Sequence, residues 1–277
     1  MNKNASRLYL LIRWVILIAV LLFIYLPLIM VIIYSFSTSK AIGGSFGDFM
    51  MGHYEQFFRN KDLLVALKNT LIIGFSAAAL ATLLGTTAAI GIHYMRKKVK
   101  AAVDTASQIT VVNAEIVTAM GFFLFIVFLR DTIKIPIGFS FAWLIITHTV
   151  ITTPYVILTV SPRLKQLNPN LLEASMDLGA GRMRSLFTVM LPQLAGAMVS
   201  GFALAFTLSL DDFVVTSVNN LDTGVTTIST YVYDGLKRGF PNEIRALSTI
   251  IFLVVLIALI AYNVVKNRKA KKQAKMG

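Results

Sequence analysis

Hydrophobic positions in this chain come in long runs, not in the short alternations of a soluble fold. Six runs reach the roughly 20 residues that a helix needs to cross a bilayer core: 12–36, 66–93, 105–129, 137–162, 188–217 and 244–265. The first carries no charge from Trp14 to Tyr34. It follows Lys3, Arg7 and Arg13 as a secretion signal would, but the run is too long and no small-x-small cleavage site closes it, so it is expected to remain as the first span. The pattern predicts an all-α polytopic membrane protein, six transmembrane helices in a single domain over 1–277. The second run is dense in Gly74, Ala77, Ala78, Ala81, Gly85 and Ala89, small residues that let helices approach closely in lipid and suit the inside of a bundle. In the fourth, Pro154 predicts a kink beside Thr147, Thr149, Thr152 and Thr153, whose hydroxyls can satisfy freed carbonyls. Trp143 reads as an interface anchor.

Composition agrees with this class: 56% of residues are hydrophobic and 14% charged. The net charge of +13 sorts by topology. With the N-terminus inside, seventeen of the 26 Lys and Arg fall on the cytoplasmic side, in the N-terminal segment, at Arg96–Lys100, around Arg163–Arg184 and in the tail after Val265. The positive-inside rule therefore puts both termini in the cytoplasm. Attraction to anionic membrane lipid follows from the same charge. Basic residues flank spans instead of forming a patch with interleaved aromatics, which argues against nucleic acid as a partner. There is no cysteine, so neither disulfides nor thiolate metal sites are available, and His53, His93 and His148 are too scattered to suggest a metal cluster.

Between the fourth and fifth runs lies a stretch that does not read as membrane. Asn168 is a good N-cap, Pro169 suits a first helical turn, and Gly179 suits a left-handed C-terminus, which together predict a short helix of about ten residues within the loop 168–187. It is too short to span. Leu171, Ala174, Ser175 and Leu178 fall on one face and Glu173 and Asp177 on the other. Spacing alone leaves two readings open: a solvated connector with acids near its positive end, or carboxylates set for a cationic partner surface.

Glu173-Ala174-Ser175, then Gly179, then Leu191-Pro192 resembles the Glu-Ala-Ala loop of the membrane subunits of binding-protein-dependent ABC importers, with the fold of the methionine-importer permease. The resemblance implies a cytoplasmic coupling helix between helices 4 and 5 that docks on an ATPase through Glu173, Ala174, Ser175 and Asp177, with Gly179 permitting the turn. Ser175 stands where that family usually has a second alanine.

Acids inside the spans carry the second chemical signal. Glu115 lies well within the third run, where a charged carboxylate costs about 2.5–3.5 kcal/mol and must face a cavity or a partner, unless it is protonated or structurally paired. Asp211 and Asp212 interrupt the fifth run, which resumes directly afterwards. Adjacent helical residues point about 100° apart, so at least one of the pair faces a pathway, or both sit at the outer water boundary. Neighbouring carboxylates at membrane depth repel one another and favour a cationic ligand.

The segment around Asp211-Asp212 is similar to the second permease subunit of spermidine/putrescine importers. The Glu115 region resembles it too, although Asn113-Ala114-Glu115 stands where a Pro-Asp pair is usual, so the charge is kept without the backbone break. The resemblance implies a polyamine substrate with Asp211, Asp212 and Glu115 along its route; Tyr231 or Tyr233 could add cation–π attraction. It also implies an ABC ATPase dimer, a second homologous permease and an extracytoplasmic polyamine-binding protein as partners, in a bacterial inner membrane.

The polar segments 35–68 and 219–243 are expected outside, as receptor contacts or as wet loops, and the tail after Val265 is expected to be disordered. No phosphate-cradling Gly-x-x-x-x-Gly-Lys-Ser/Thr and no Ser/His/Asp, Cys/His or His-Glu-x-x-His constellation occurs, so the chain is expected not to be an enzyme, to need no cofactor, and to rely on a separate ATPase. Rival readings are an importer permease for another small solute, a secondary transporter, for which no internal repeat is evident, and a membrane scaffold, which would need no carboxylates in its spans.

Overall fold

A computed structural model of the protein describes residues 3–39, 45–168, 170–221, 223–237 and 242–273. In chain order the elements are α1 (Lys3–Ser35), α2 (Gly52–Arg59), α3 (Lys61–His93), α4 (Lys97–Val112), α5 (Glu115–Asp131), α6 (Phe141–Gln166), α7 (Asn170–Asp177), α8 (Arg182–Ser185), a π-helical stretch Leu186–Met190, α9 (Leu191–Asp211), α10 (Val214–Asn219), α11 (Ile228–Lys237) and α12 (Asn242–Gln273). Among the described residues four helices are long and apolar enough to cross a membrane, on α1, α3, α6 and the continuous helix 182–211, or five if the bent pair α4 and α5 counts as one span. The predicted run 244–265 lies on α12, where most side chains after Ile257 are outside the described residues.

The chain divides into two compact units, Met1–Leu63 with Val232–Gly277, and Leu64–Tyr231. In the first, α1 exposes its apolar side chains from Leu11 to Leu26, as lipid-facing helices do. Asn60 donates to Glu243 at 2.7 Å and Arg245 to the Ser39 carbonyl at 2.8 Å. His53 is buried, its Nε2 3.2 Å from the Ser37 carbonyl oxygen. The segment expected as an outer loop between the first two spans contains α2, with Phe57 buried and Phe58 exposed; Gly43 and Gly44 lie outside the described residues. The backbone after Val265, expected as disordered, is helical to Gln273, in keeping with the high helix propensity of its Lys, Arg, Ala and Gln.

In the second unit α3, α6 and α9 form the core around Ala78, Ala81, Val156, Val160, Leu194 and Ala205. Val156 sits between two glycines: a Cβ on Gly85 would come within 2.7 Å of the Val156 Cβ, and one on Gly201 within 3.2 Å of its Cγ1. Without hydrophobic drive between helices in lipid, such close backbone approach is what holds them together. α6 continues unbroken through Pro154, so the expected kink is not a break, and the threonine hydroxyls bond carbonyls of Leu144, Ile145, His148 and Thr149 and not that of Val150, to which the proline has no N–H to donate. Ahead of α9, the π stretch Leu186–Met190 takes up the lost N–H and ring bulk of Pro192. Trp143 is no interface anchor: it is buried, packed edge-on against Phe122, and its indole N–H donates to Asn219.

Candidate functional site

Two of the six predicted spans are broken, and both breaks open on one cavity. The expected single helix 105–129 is two helices bent by 104°. α4 ends in a β-branched run, Ile109-Thr110-Val111-Val112, whose restricted χ1 angles weaken a helix. Asn113 and Ala114 then go extended, ψ 145° and 132°, and Asn113 Nδ2 donates to Thr118 Oγ1 at 3.1 Å. The break expected to be lost without proline is therefore present. Glu115 is not mid-helix; it opens α5, exposed, where free N–H groups and the helix dipole favour a negative charge.

The fifth span also stops short of its predicted end at 217. α9 ends at Asp211, and Asp212 is extended, with ψ 123°. Its carboxylate accepts from the backbone N–H of Val215 (3.2 Å) and Thr216 (2.8 Å) and from the Thr216 hydroxyl (2.8 Å), which starts α10 and prevents α9 from continuing. The two aspartates thus differ in kind. Asp211 is exposed and Asp212 is 8% exposed with both oxygens engaged.

A cavity of about 120 Å³ is lined by Glu115, Asp211 and Asp212 together with Thr110, Asn113, Tyr155 and other side chains of α4, α5, α6, α9 and α10. The three acids singled out in the sequence are therefore brought together. Tyr155 supplies the aromatic surface of the lining, whereas Tyr233 stacks under the Lys237 ammonium at 4.5 Å. Behind the cavity stands a polar network that sequence reasoning missed. His148 Nδ1 is 2.7 Å from Ser209 Oγ; its Nε2 is 3.0 Å from Thr216 Oγ1 and 3.5 Å from Asp212 Oδ2. One proton assignment satisfies every hydroxyl contact: Ser209 donates to Nδ1, Nε2–H donates to Thr216, and Thr216 donates to Asp212. Asn219 accepts from Trp143 and donates to the carbonyl of Ala119, one turn beyond Glu115. Only the Thr and Ser spacing hinted at this in the sequence, because its partners are 61 to 100 residues apart. Among the described residues no group of His, Asp and Glu could hold a metal ion.

The predicted short helix is α7, about 12 Å long. Asn168 Oδ1 accepts from the Asn170 N–H at 3.0 Å; Pro169 lies outside the described residues. At the other end Gly179 has φ +85°, the Gly179 N–H bonds the Met176 carbonyl and the Ala180 N–H that of Ser175, the paired bonds of a Schellman turn. The face that spacing groups as Leu171, Ala174, Ser175 and Leu178 does not pack as a unit. Leu172 and Ser175 face the body, Leu172 against the core and Ser175 bonded to the buried Ser185 at 2.9 Å, while Ala174 is exposed and Leu178 is 90% exposed. Glu173 and Asp177 are exposed as well. Farther along, the segment expected as an outer loop, 219–243, carries α11; Asp222 and Arg238 lie outside the described residues.

Residues 81–271 match the family described as binding-protein-dependent transport system inner membrane component. The chain belongs to this family. It is a multi-pass inner-membrane component of a transport system. The putrescine transport system permease protein PotI of Escherichia coli K12 is 33% identical over 264 residues, covering 94% of this chain and 92% of that one. The spermidine/putrescine transport system permease protein PotC of Haemophilus influenzae is 34% identical, covering 89% and 93%. In fold the chain is similar to a bacterial ABC transporter involved in import of the acidic polysaccharide alginate, at TM-score 0.70 and 16% identity over 96% of this chain and 98% of that one. A second likeness is to the MetNI methionine ABC transporter, at TM-score 0.56 and 18% identity over 74% and 94%. The methionine-importer type of fold expected from the loop motif agrees with the latter.

Proposed function

We propose that the chain is a permease subunit of an ATP-driven importer that carries polyamines of the putrescine and spermidine class into the cytoplasm. The observation that carries the reading is the convergence of Glu115, Asp211 and Asp212 on one cavity at two helix breaks. Irregular backbone at membrane depth is tolerated where it lines a cavity, and carboxylates there need a cationic companion. Tyr155 adds an aromatic face for an alkylammonium group. The names of PotI and PotC support the same class of cargo.

In this reading residues 1–277 form one permease domain of six spans, α4 and α5 making one and α12 the last, with both termini in the cytoplasm. A second homologous permease completes the pathway, and an extracytoplasmic polyamine-binding protein delivers the substrate. α7 is the coupling helix: Glu173, Ala174, Asp177 and Leu178 offer an exposed surface to an ABC ATPase dimer, Ser175 anchors it to the body, and Gly179 turns the chain back. Closure of the ATPases moves α7 and turns the cavity from one side of the membrane to the other.

The test is uptake of labelled putrescine and spermidine by the full complex in vesicles, wild type against the double variant Glu115→Gln, Asp211→Asn. Uptake by the wild type and its loss in the correctly assembled variant are expected. Equal uptake by both removes the carboxylates from the route, and no uptake by the wild type removes polyamines as the cargo.

A further inference from the structure

Resting on the polyamine reading above, we propose that His148, Thr216 and Asn219 are positioning residues that hold Glu115 and Asp211 at one spacing and thereby select the length of the linear dication carried. Both carboxylates are exposed to the cavity, and neither is held by its own helix alone, since each sits at a helix end. What fixes one against the other is α10. Its start is defined by the Asp212 carboxylate, the residue next to Asp211. Its far end is bolted to α5 by Asn219, whose amide donates at 3.1 Å to the carbonyl of Ala119, on the same helical face as Glu115. The Trp143 indole on α6 holds the other side of that amide at 3.2 Å.

The second strut is His148. From α6 it reaches Ser209 on α9 and Thr216 on α10 at once, so the imidazole spans the α9–α10 break and prevents it from opening. Every member is buried: His148 is 1% exposed, Ser209 4%, and Thr216 and Asn219 not at all. A buried polar network with all partners satisfied is rigid, because any displacement leaves a group unpaired in a medium that cannot solvate it. A rigid pair of carboxylates discriminates between dications by the separation of their ammonium groups; a deformable pair would follow each ligand.

The experiment is competitive uptake of a series of linear α,ω-diamines, from propane to hexane, by the full complex in vesicles at receptor-saturating concentrations. The receptor is the same throughout, so any change in the profile between variants comes from the permease. Thr216→Val keeps the volume and removes the hydroxyl; Thr216→Ser restores it. The inference expects Thr216→Val to shift the ratio of short-chain to long-chain uptake roughly fivefold, the effect of about one net hydrogen bond, and Thr216→Ser to restore the wild-type profile. An unchanged ratio, or an equal fall for every length, overturns it. Should Thr216→Val fail to assemble, Ser209→Ala, which loses only the contact to Nδ1, decides by the same criterion. A wild-type complex that carries no diamine overturns the cargo reading, and that outcome is read without any variant.

Discussion

The α9–α10 break and the α7 loop are both short departures from long helices, yet they are built in opposite ways. At the break, Asp212, Thr216, His148, Ser209 and Asn219 are buried and bonded across four elements. At α7, the body holds the helix chiefly through Leu172 and the Ser175–Ser185 hydroxyl bond, and the rest of its surface is exposed. The first arrangement keeps two carboxylates in place. The second leaves a firm but uncovered knob, with Leu178 exposed beside two acids, the surface that the proposed function assigns to the ATPase.

The comparison breaks most visibly at Glu173. Replacing it by Lys is expected to lower uptake and substrate-stimulated ATP hydrolysis by about 100-fold, the scale of reversing a charge that a partner buries, while thermal stability stays within about 0.5 kcal/mol because the side chain is exposed. Unchanged hydrolysis would make α7 a mere connector. Next come the paired aspartates, which sharpen the contrast within one site. Asp212→Asn is expected to cost about 1–3 kcal/mol of stability, measured by thermal unfolding, because it disturbs a buried acceptor of three hydrogen bonds. Asp211→Asn should leave stability alone and raise the half-saturating polyamine concentration about tenfold, the loss of one charge-assisted contact. Equal stability effects would erase the distinction drawn between them. Smallest is Ser175→Ala, which removes the tie to Ser185 but leaves Ser185 its bond to the Gly181 carbonyl. Less than about 1 kcal/mol of stability and nearly normal uptake are expected.

How far each region could be read from the sequence follows from the range of its interactions. α7 was legible because its determinants are local: Asn168 caps it and Gly179 ends it. Its packing face was not, since Leu172 finds its place only against the core that distant helices assemble. Long apolar runs announced α1, α3 and α6 by hydropathy alone. The bend before Glu115 was hidden because no proline marks it; β-branched residues and the Asn113–Thr118 bond make it instead. Asp211 and Asp212 read as an equivalent pair in the sequence, and only the Val215 and Thr216 N–H groups tell the cap from the free carboxylate. Asn219 and Trp143, 76 residues apart, could be joined only by the fold.

The absence of cysteine makes one measurement especially direct. Leu208 lines the cavity without taking part in its hydrogen bonds, so Leu208→Cys provides a single thiol at the site. Its labelling by a polar maleimide is followed in the full complex during turnover, with and without spermidine. If cations occupy the cavity between the two helix breaks, spermidine slows the labelling in a concentration-dependent way, and the added substitution Asp211→Asn weakens that protection. Labelling at the same rate with and without spermidine, in a complex that is transporting it, would contradict the account.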